Sequence, residues 1–193
     1  MKWVRRILGG IAALLVLCVA GLWLAGLRPG HGHHAETVEI NRPAEQVWRY
    51  LTNDELAKKW ISGLEEIRYE SPSVPRAGEK LYLVQGYEGK RIEMEMTLGR
   101  VEAPHTMEFS IVAVGDPSNQ FREQGAYTLE ERGGKTLLRL ATTAEYDGFL
   151  PRLVEPLITY GTREKLRGDL ARLKALVEAE PAAAGAAASA ETK

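Results

Sequence analysis

Between Ile67 and Ala144 the apolar residues recur at every second position in six successive runs, and downstream of that block the period is that of a helix. The runs are Ile67 and Tyr69; Leu81 and Leu83; Ile92, Met94, Met96 and Leu98; Met107, Phe109, Ile111 and Ala113; Gly125, Tyr127 and Leu129; and Leu138, Leu140, Thr142 and Ala144. Alternation of this kind sends every second side chain to one face, so each run reads as a strand of a sheet with one dry side. The breaks between runs carry turn residues: Gly86 to Gly89, Ala103-Pro104-His105, Gly115-Asp116-Pro117 and Gly133-Gly134. They suit antiparallel connections and are too short for crossovers.

Upstream, Thr37-Val38-Glu39-Ile40 alternates like a strand, and Pro43 then stands where the first turn of a helix tolerates it, ahead of Val47, Trp48 and Leu51. Thr52 with Glu55 reads as a capping box for a second short helix carrying Leu56 and Trp60. Downstream, Leu166, Leu170, Leu173 and Val177 lie at helical spacing opposite Arg163, Lys165, Arg167, Arg172 and Lys174, which predicts a long amphipathic helix within Pro151 to Glu180. Pro156, Gly161 and Gly168 suggest a start near Pro156, a kink, or a close approach to the sheet.

Strand, two short helices, six antiparallel strands and one long helix pack economically in one way, as a curved sheet gripping the last helix, an α+β fold. A strongly bent sheet is not filled by one helix, so a cavity between the two is an expected by-product.

The segments Val38-Glu39-Ile40-Asn41-Arg42-Pro43-Ala44-Glu45-Gln46-Val47-Trp48, Leu51-Thr52-Asn53, Leu56-Ala57-Lys58-Lys59-Trp60 and the closing Leu170-Ala171-Arg172-Leu173-Lys174 resemble the START/Bet v 1-like helix-grip superfamily, and within it the polyketide cyclase/dehydrase-type and Hsp90-ATPase-activator-type branches. The resemblance covers about Ala35 to Glu180. It implies a seven-stranded sheet around the C-terminal helix and a tunnel for lipids, sterols, polyketides or other apolar molecules. Some members of the superfamily are enzymes.

The N-terminus lies outside that resemblance. The 21 residues from Ile7 to Leu27 carry no charge, and as a helix would span roughly 30 Å, the thickness of a hydrocarbon core. The run exceeds a signal-peptide core, so residues 1–28 read as an uncleaved transmembrane signal anchor; cleavage near Ala20 or Ala25 is the competing reading. Lys2, Arg5 and Arg6 precede the run and only Arg28 follows closely, which places the N-terminus in the cytoplasm and the domain outside the cell membrane's inner face. Residues 29–34 read as a turn-rich linker, 35–180 as the folded domain and 181–193 as a disordered Ala-rich tail.

A net charge of -1 with interspersed signs gives no footprint for nucleic acid. The single cysteine, Cys18, lies in the apolar run, which excludes a disulfide framework, a thiolate nucleophile and a Cys-based metal site in the domain. His31, His33 and His34 read as solvated linker with no specific metal site, and no cofactor is expected. With no serine elbow and only His105, in a turn, as a domain histidine, no catalytic residue is assigned.

The phase of the strands puts Met94, Met96, Phe109, Ile111, Tyr127, Leu138 and Leu140 on one face, as ordinary core or as walls of an adaptable apolar pocket. Trp60 ends the second helix where the resemblance implies an opening, and reads alternatively as a lid on the core. Leu157 and Tyr160, with Gly161, are placed where the long helix would face the cavity. Glu93 and Glu95 fall on the opposite, solvated face. Three functions compete: a membrane-anchored binding module for a hydrophobic molecule, a polyketide cyclase/aromatase-like enzyme marked by a polar pair such as Tyr127 with an acid or base deep in the cavity, and a protein-interaction module with a filled core.

Overall fold

The computed structural model describes residues 2–26, 30–70, 75–87, 89–115, 121–146 and 149–181. The expectations for Leu27 to Pro29, the tip of the Gly86 to Gly89 turn at Glu88, Asp116-Pro117 and the tail from 182 onward fall outside them.

The elements follow in the order α1 (Lys2–Gly26), β1 (Gly30–Ile40), α2 (Ala44–Thr52), α3 (Asp54–Trp60), β2 (Leu64–Tyr69), β3 (Lys80–Tyr87), β4 (Lys90–Glu102), β5 (Thr106–Ala113), β6 (Phe121–Arg132), β7 (Lys135–Tyr146) and α4 (Phe149–Ala179). The seven strands form one sheet in the order β1-β7-β6-β5-β4-β3-β2. Every pairing is antiparallel. The six period-two runs are β2 to β7. Gly133 and Gly134, at φ 60° and 75°, turn β6 into β7 through the two-residue hairpin whose twist matches the flanking strands.

The sheet's dry face carries Leu81, Leu83, Met94, Leu98, Met107, Phe109, Ile111, Leu129, Leu138 and Leu140, and α4 covers it with Leu170, Leu173 and Val177. Trp48, Tyr50, Leu51, Ala57 and Trp60 of α2 and α3 close the core from the side. Arg42 fastens the two ends of the domain: its guanidinium donates to the carbonyls of Glu178 and Glu180 at the end of α4, while the Glu178 carboxylate accepts from Asn41 N at 2.7 Å. These are the acceptors that a helix C-terminus leaves without an intrahelical donor.

Three local expectations are corrected, and the last residue of the expected domain is fixed. Residues Gly30 to His34 are not linker but the first half of β1, paired with β7 from Gly30↔Tyr146 to His34↔Thr142, since a neighbouring strand satisfies their backbone where sequence showed only turn-prone residues. The cap of α3 is Asn53, whose side chain accepts from Leu56 N at 3.0 Å; Thr52 ends α2 and donates to Trp48 O. α4 starts at Phe149 and holds Pro156 inside it, which deprives only the Arg152 carbonyl of its donor. Glu180 is tied down: its carboxylate accepts from Tyr50 Oη at 2.7 Å and pairs with Arg49.

α1 is a 25-residue helix that lies against α4, and Leu14, Leu15, Val16, Leu17, Val19, Trp23 and Leu24 on it are exposed. Among the described residues no helix is long and apolar enough to cross a membrane.

Candidate functional site

The strand phase expected from sequence holds. Met94 lies opposite Leu83 and Ala113, Met96 opposite Leu81 and Ile111, Phe109 opposite Leu98 and Gly125, and Tyr127 opposite Met107 and Leu140, so all seven predicted strand positions share the concave face. They differ in what covers them. Leu138 and Leu140 are wholly buried under α4, whereas Met96 and Tyr127 are only partly buried. Trp60 is buried, and its indole N–H donates to Tyr50 O at 3.0 Å, so it closes the core rather than lining an opening.

Tyr127 is the centre of an aromatic group, edge-on to Trp60 at 6.4 Å and tilted against Phe109 at 5.5 Å. Gly125 makes room for that group. A Cβ there would stand 2.6 Å from Phe109 Cζ and 2.8 Å from Thr142 Cγ2, so ring and methyl both lean over the bare backbone.

Leu157 and Tyr160 are not at the cavity: they are 74% and 68% exposed. The reason is a rotation of the apolar stripe along α4. From Leu166 onward Leu166, Leu170, Leu173 and Val177 face the sheet. Among the described side chains no residue of the helix before Leu166 joins the core, and the exposed side carries Phe149, Leu157 and Tyr160. What the first half turns toward β1 is polar: the Thr159 hydroxyl, bonded to Glu155 at 3.0 Å, stands over Gly32.

The sheet answers with polar residues of its own. His34, Glu123 and Thr142 are in phase with the core positions: His34 pairs directly with Thr142, and Glu123 lies opposite Ile111 and Ala144. His34 is 4% exposed, and neither ring nitrogen has a hydrogen-bond partner among the described residues. Burial, and then the nearby Arg163 charge, hold its pKa below the ordinary imidazole value. Burial pushes the Glu123 carboxyl up, against weaker pulls from the Thr142 hydroxyl and then from Lys165. The Thr142 hydroxyl stands beside that carboxyl without a hydrogen bond of good geometry. Burial raises both phenols nearby, Tyr127 further through Glu123 and Asp169, and Tyr146 through Glu123 and Glu155.

The cations around this cluster are already matched. Glu36 takes Arg163 at 2.9 Å and Arg167 at 3.1 Å. Asp169, 3% exposed, takes Lys165 at 2.9 Å, Arg172, and the backbone N–H of Ser62. An open hollow of about 450 Å³ touches His34, Thr142 and Arg163. A second, of about 410 Å³, runs over the β4 to β7 strands at Thr97, Gly99, Ser110, Ala126 and Ala141, positions out of phase with the core. Among the described residues no group of three or more His, Cys, Asp or Glu could hold a metal ion. Glu93 and Glu95 sit on the convex side, paired with Arg68 and Lys80, as their phase predicted.

Sequence reasoning passed over His34, Glu123 and Thr142 as site residues. The signal was present: Ile40, Val38, Glu36, His34 and Gly32 continue one alternation backward, and Glu123 stands two residues before Gly125 in the phase of Tyr127 and Leu129.

With this geometry in hand, comparison with known proteins decides the family. A family model described as polyketide cyclase/dehydrase and lipid transport matches residues 32–178. The chain belongs to this family. Solved structures similar to this member of the cyclase/dehydrase and lipid transport family include Ara h 8.0201 (15% identity, TM-score 0.63, covering 78% of this chain and 100% of that one). CV1439 from Chromobacterium violaceum is 15% identical, with TM-score 0.59 over 77% of this chain and 99% of its own. MLL2253 from Mesorhizobium loti is 21% identical, with TM-score 0.56 over 75% and 97%. At these identities the likeness is one of fold, the helix-grip architecture. No curated protein sequence matches the chain.

Proposed function

We propose that this chain is a carrier that holds an apolar molecule between its curved sheet and α4, next to a membrane in which its N-terminal helix is anchored. The observation that carries the binding reading is the point at which the apolar stripe of α4 leaves the sheet: among the described side chains none before Leu166 packs into the core, while Met96, Ile92 and Tyr127 of the concave face remain only partly buried. A dry face with adaptable methionines and no apolar helix over its far end is a surface that a ligand completes. Family membership supports the same ligand class, and Met94, Met96, Phe109, Ile111 and Tyr127 are its proposed walls.

The anchor rests on sequence: the uncharged run from Ile7 to Leu27, part of which lies outside the described residues, with Lys2, Arg5 and Arg6 before it. The exposed Phe149, Leu157 and Tyr160 on α4, the helix that α1 touches, add apolar surface on the anchored side. Native mass spectrometry with lipid extraction on the full chain, purified under mild conditions, tests the carrier. A reproducible stoichiometric apolar mass supports it, and a chain that stays empty against a lipid and polyketide panel sinks it. Alkaline carbonate extraction tests the anchor, which requires the chain to stay with the membrane pellet.

A second reading, chemistry on an enolisable chain, has one observation in its favour: the buried Tyr127 phenol feels the Glu123 and Asp169 carboxyls, the polar pair that a cyclase would use to steer a proton. Turnover of a poly-β-ketone substrate that Tyr127→Phe abolishes, with binding retained, would establish it.

A further inference from the structure

We propose that His34, Thr142 and Glu123 form a head-group site for one uncharged oxygen, a hydroxyl or a ketone, on an otherwise apolar ligand. The inference rests on the carrier reading and deepens it by naming the chemistry of the ligand's polar end.

Three observations converge. First, His34 Nδ1, His34 Nε2 and Thr142 Oγ1 are buried polar atoms with no hydrogen bond to any described residue, and they are cross-strand neighbours on the concave face. Buried polar groups are paired in the great majority of folds, because leaving them unmade forfeits the hydration they had in the unfolded chain. Two such residues side by side mark a place where a partner belongs. Second, His34 and Thr142, though not Glu123, border an open hollow of about 450 Å³ at the β1 edge of the sheet, which Arg163 and the out-of-phase residues His33, Ala35, Gln124, Ala141 and Thr143 also line. Gly32 adjoins the place: a Cβ there would lie 3.2 Å from Thr159 Oγ1, 3.3 Å from His34 Nε2 and 3.4 Å from the Tyr146 ring, so the missing side chain leaves a slot with polar edges. Third, the partner is neutral. Arg163, Arg167, Lys165 and Arg172 have Glu36, Glu164 and Asp169 as ion-pair partners, and Glu123 and Glu155 add two further carboxyls to the region. A carboxylate or phosphate would therefore meet no net excess of positive charge. An imidazole, a hydroxyl and a carboxyl whose charged form burial disfavours, in contrast, offer both donors and acceptors to a hydroxyl or ketone. The hydrocarbon body then lies toward Ile111, Met96 and Tyr127, the neighbours of Glu123 across the sheet.

The test is binding of four probes of matched length, 1-dodecanol, 2-tridecanone, 1-tridecene and dodecanoate, to the full chain in lipid nanodiscs, with 2-tridecanone carrying ¹³C at its carbonyl. The alcohol and ketone are expected to bind roughly five- to tenfold tighter than the alkene and the carboxylate, as one or two net hydrogen bonds give. The labelled carbonyl resonance is expected to move downfield on binding. Thr142→Val, which keeps the shape, and His34→Phe are each expected to erase most of the preference and the shift while leaving alkene binding unchanged; Gly32→Ala, which narrows the slot, is expected to weaken the ketone alone. Equal binding of alkene and ketone, the pattern if water alone satisfies these atoms, overturns the head-group site but leaves the carrier standing, as does a preference for dodecanoate. Binding of none of the four overturns both.

Discussion

Placing a methyl group on Gly125 tests whether the aromatic floor of the concave face is packed as described. In Gly125→Ala the new Cβ would stand 2.6 Å from Phe109 Cζ. Ordinary carbon contact is about 3.5 Å, so ring or backbone must give by about 0.9 Å. Phe109 is held from the other side by Tyr127 at 5.5 Å, and Thr142 Cγ2, 2.8 Å from the same point, blocks the alternative direction. Overpacking of this size costs about 1–3 kcal/mol, and the lower unfolded-state entropy of alanine returns about 0.5 kcal/mol. The net expectation is a loss of about 1.5 kcal/mol, or a urea midpoint lower by about 0.75 M at a slope of about 2 kcal/mol/M. The assay is urea unfolding of the full chain followed by circular dichroism, run as a double-mutant cycle with Phe109→Leu. Shortening the ring should recover at least about 1 kcal/mol of the alanine's cost as a coupling term. A cost below about 0.5 kcal/mol for Gly125→Ala, or the same cost with and without the Phe109 ring, would refute the reasoning.

Further outcomes follow from the same geometry. Because burial raises Glu123, the fold keeps a proton that the unfolded chain releases in the ordinary carboxylate range, so this group's contribution to stability falls as pH rises above that range. Glu123→Gln should gain stability relative to the parent as pH rises above the ordinary carboxylate range, and a difference constant with pH would contradict the assignment. Asp169→Ala removes the acceptor shared by Lys165, Arg172 and Ser62 N, and since both cations remain partly exposed the expected loss is about 1–3 kcal/mol, read as a lowered denaturation midpoint. Leu157→Glu, on the exposed side of α4, should change stability by less than about 0.5 kcal/mol in detergent; a larger loss would mean that the residue is covered.

The framework was legible because the concave face is dry over most of its area, and one dry face imposes period two on every strand that crosses it. That pattern gave the six later strands, their phase and the residues that meet under α4. Two kinds of feature did not show. β1 begins with Gly30-His31-Gly32-His33-His34, a string that reads as a turn because the pairing that makes it a strand comes from β7, more than a hundred residues later. Glu123 and His34 break the apolar alternation at the very positions where the face stops being core, and Thr142 passes as an ordinary strand position within its run, so a rule that detects core singles out none of them. Tyr160 and Leu157 were misplaced because the sheet-facing phase of Leu166, Leu170, Leu173 and Val177 was not carried back: at about 100° per residue it falls on Glu155, Thr159 and Thr162 and puts Leu157 on the opposite side.

β1 is an edge strand, and its ladder has a direction. Its first five rungs, Gly30↔Tyr146 to His34↔Thr142, hold the polar end of the concave face, while Val38↔Leu138 and Ile40↔Thr136 are sealed in the core. Opening that enters from the Gly30 end must unzip the polar rungs before it meets the apolar ones. The first partially open state of this molecule is therefore one in which Gly32 and His34 have swung away from β7 while the rest of the fold stands.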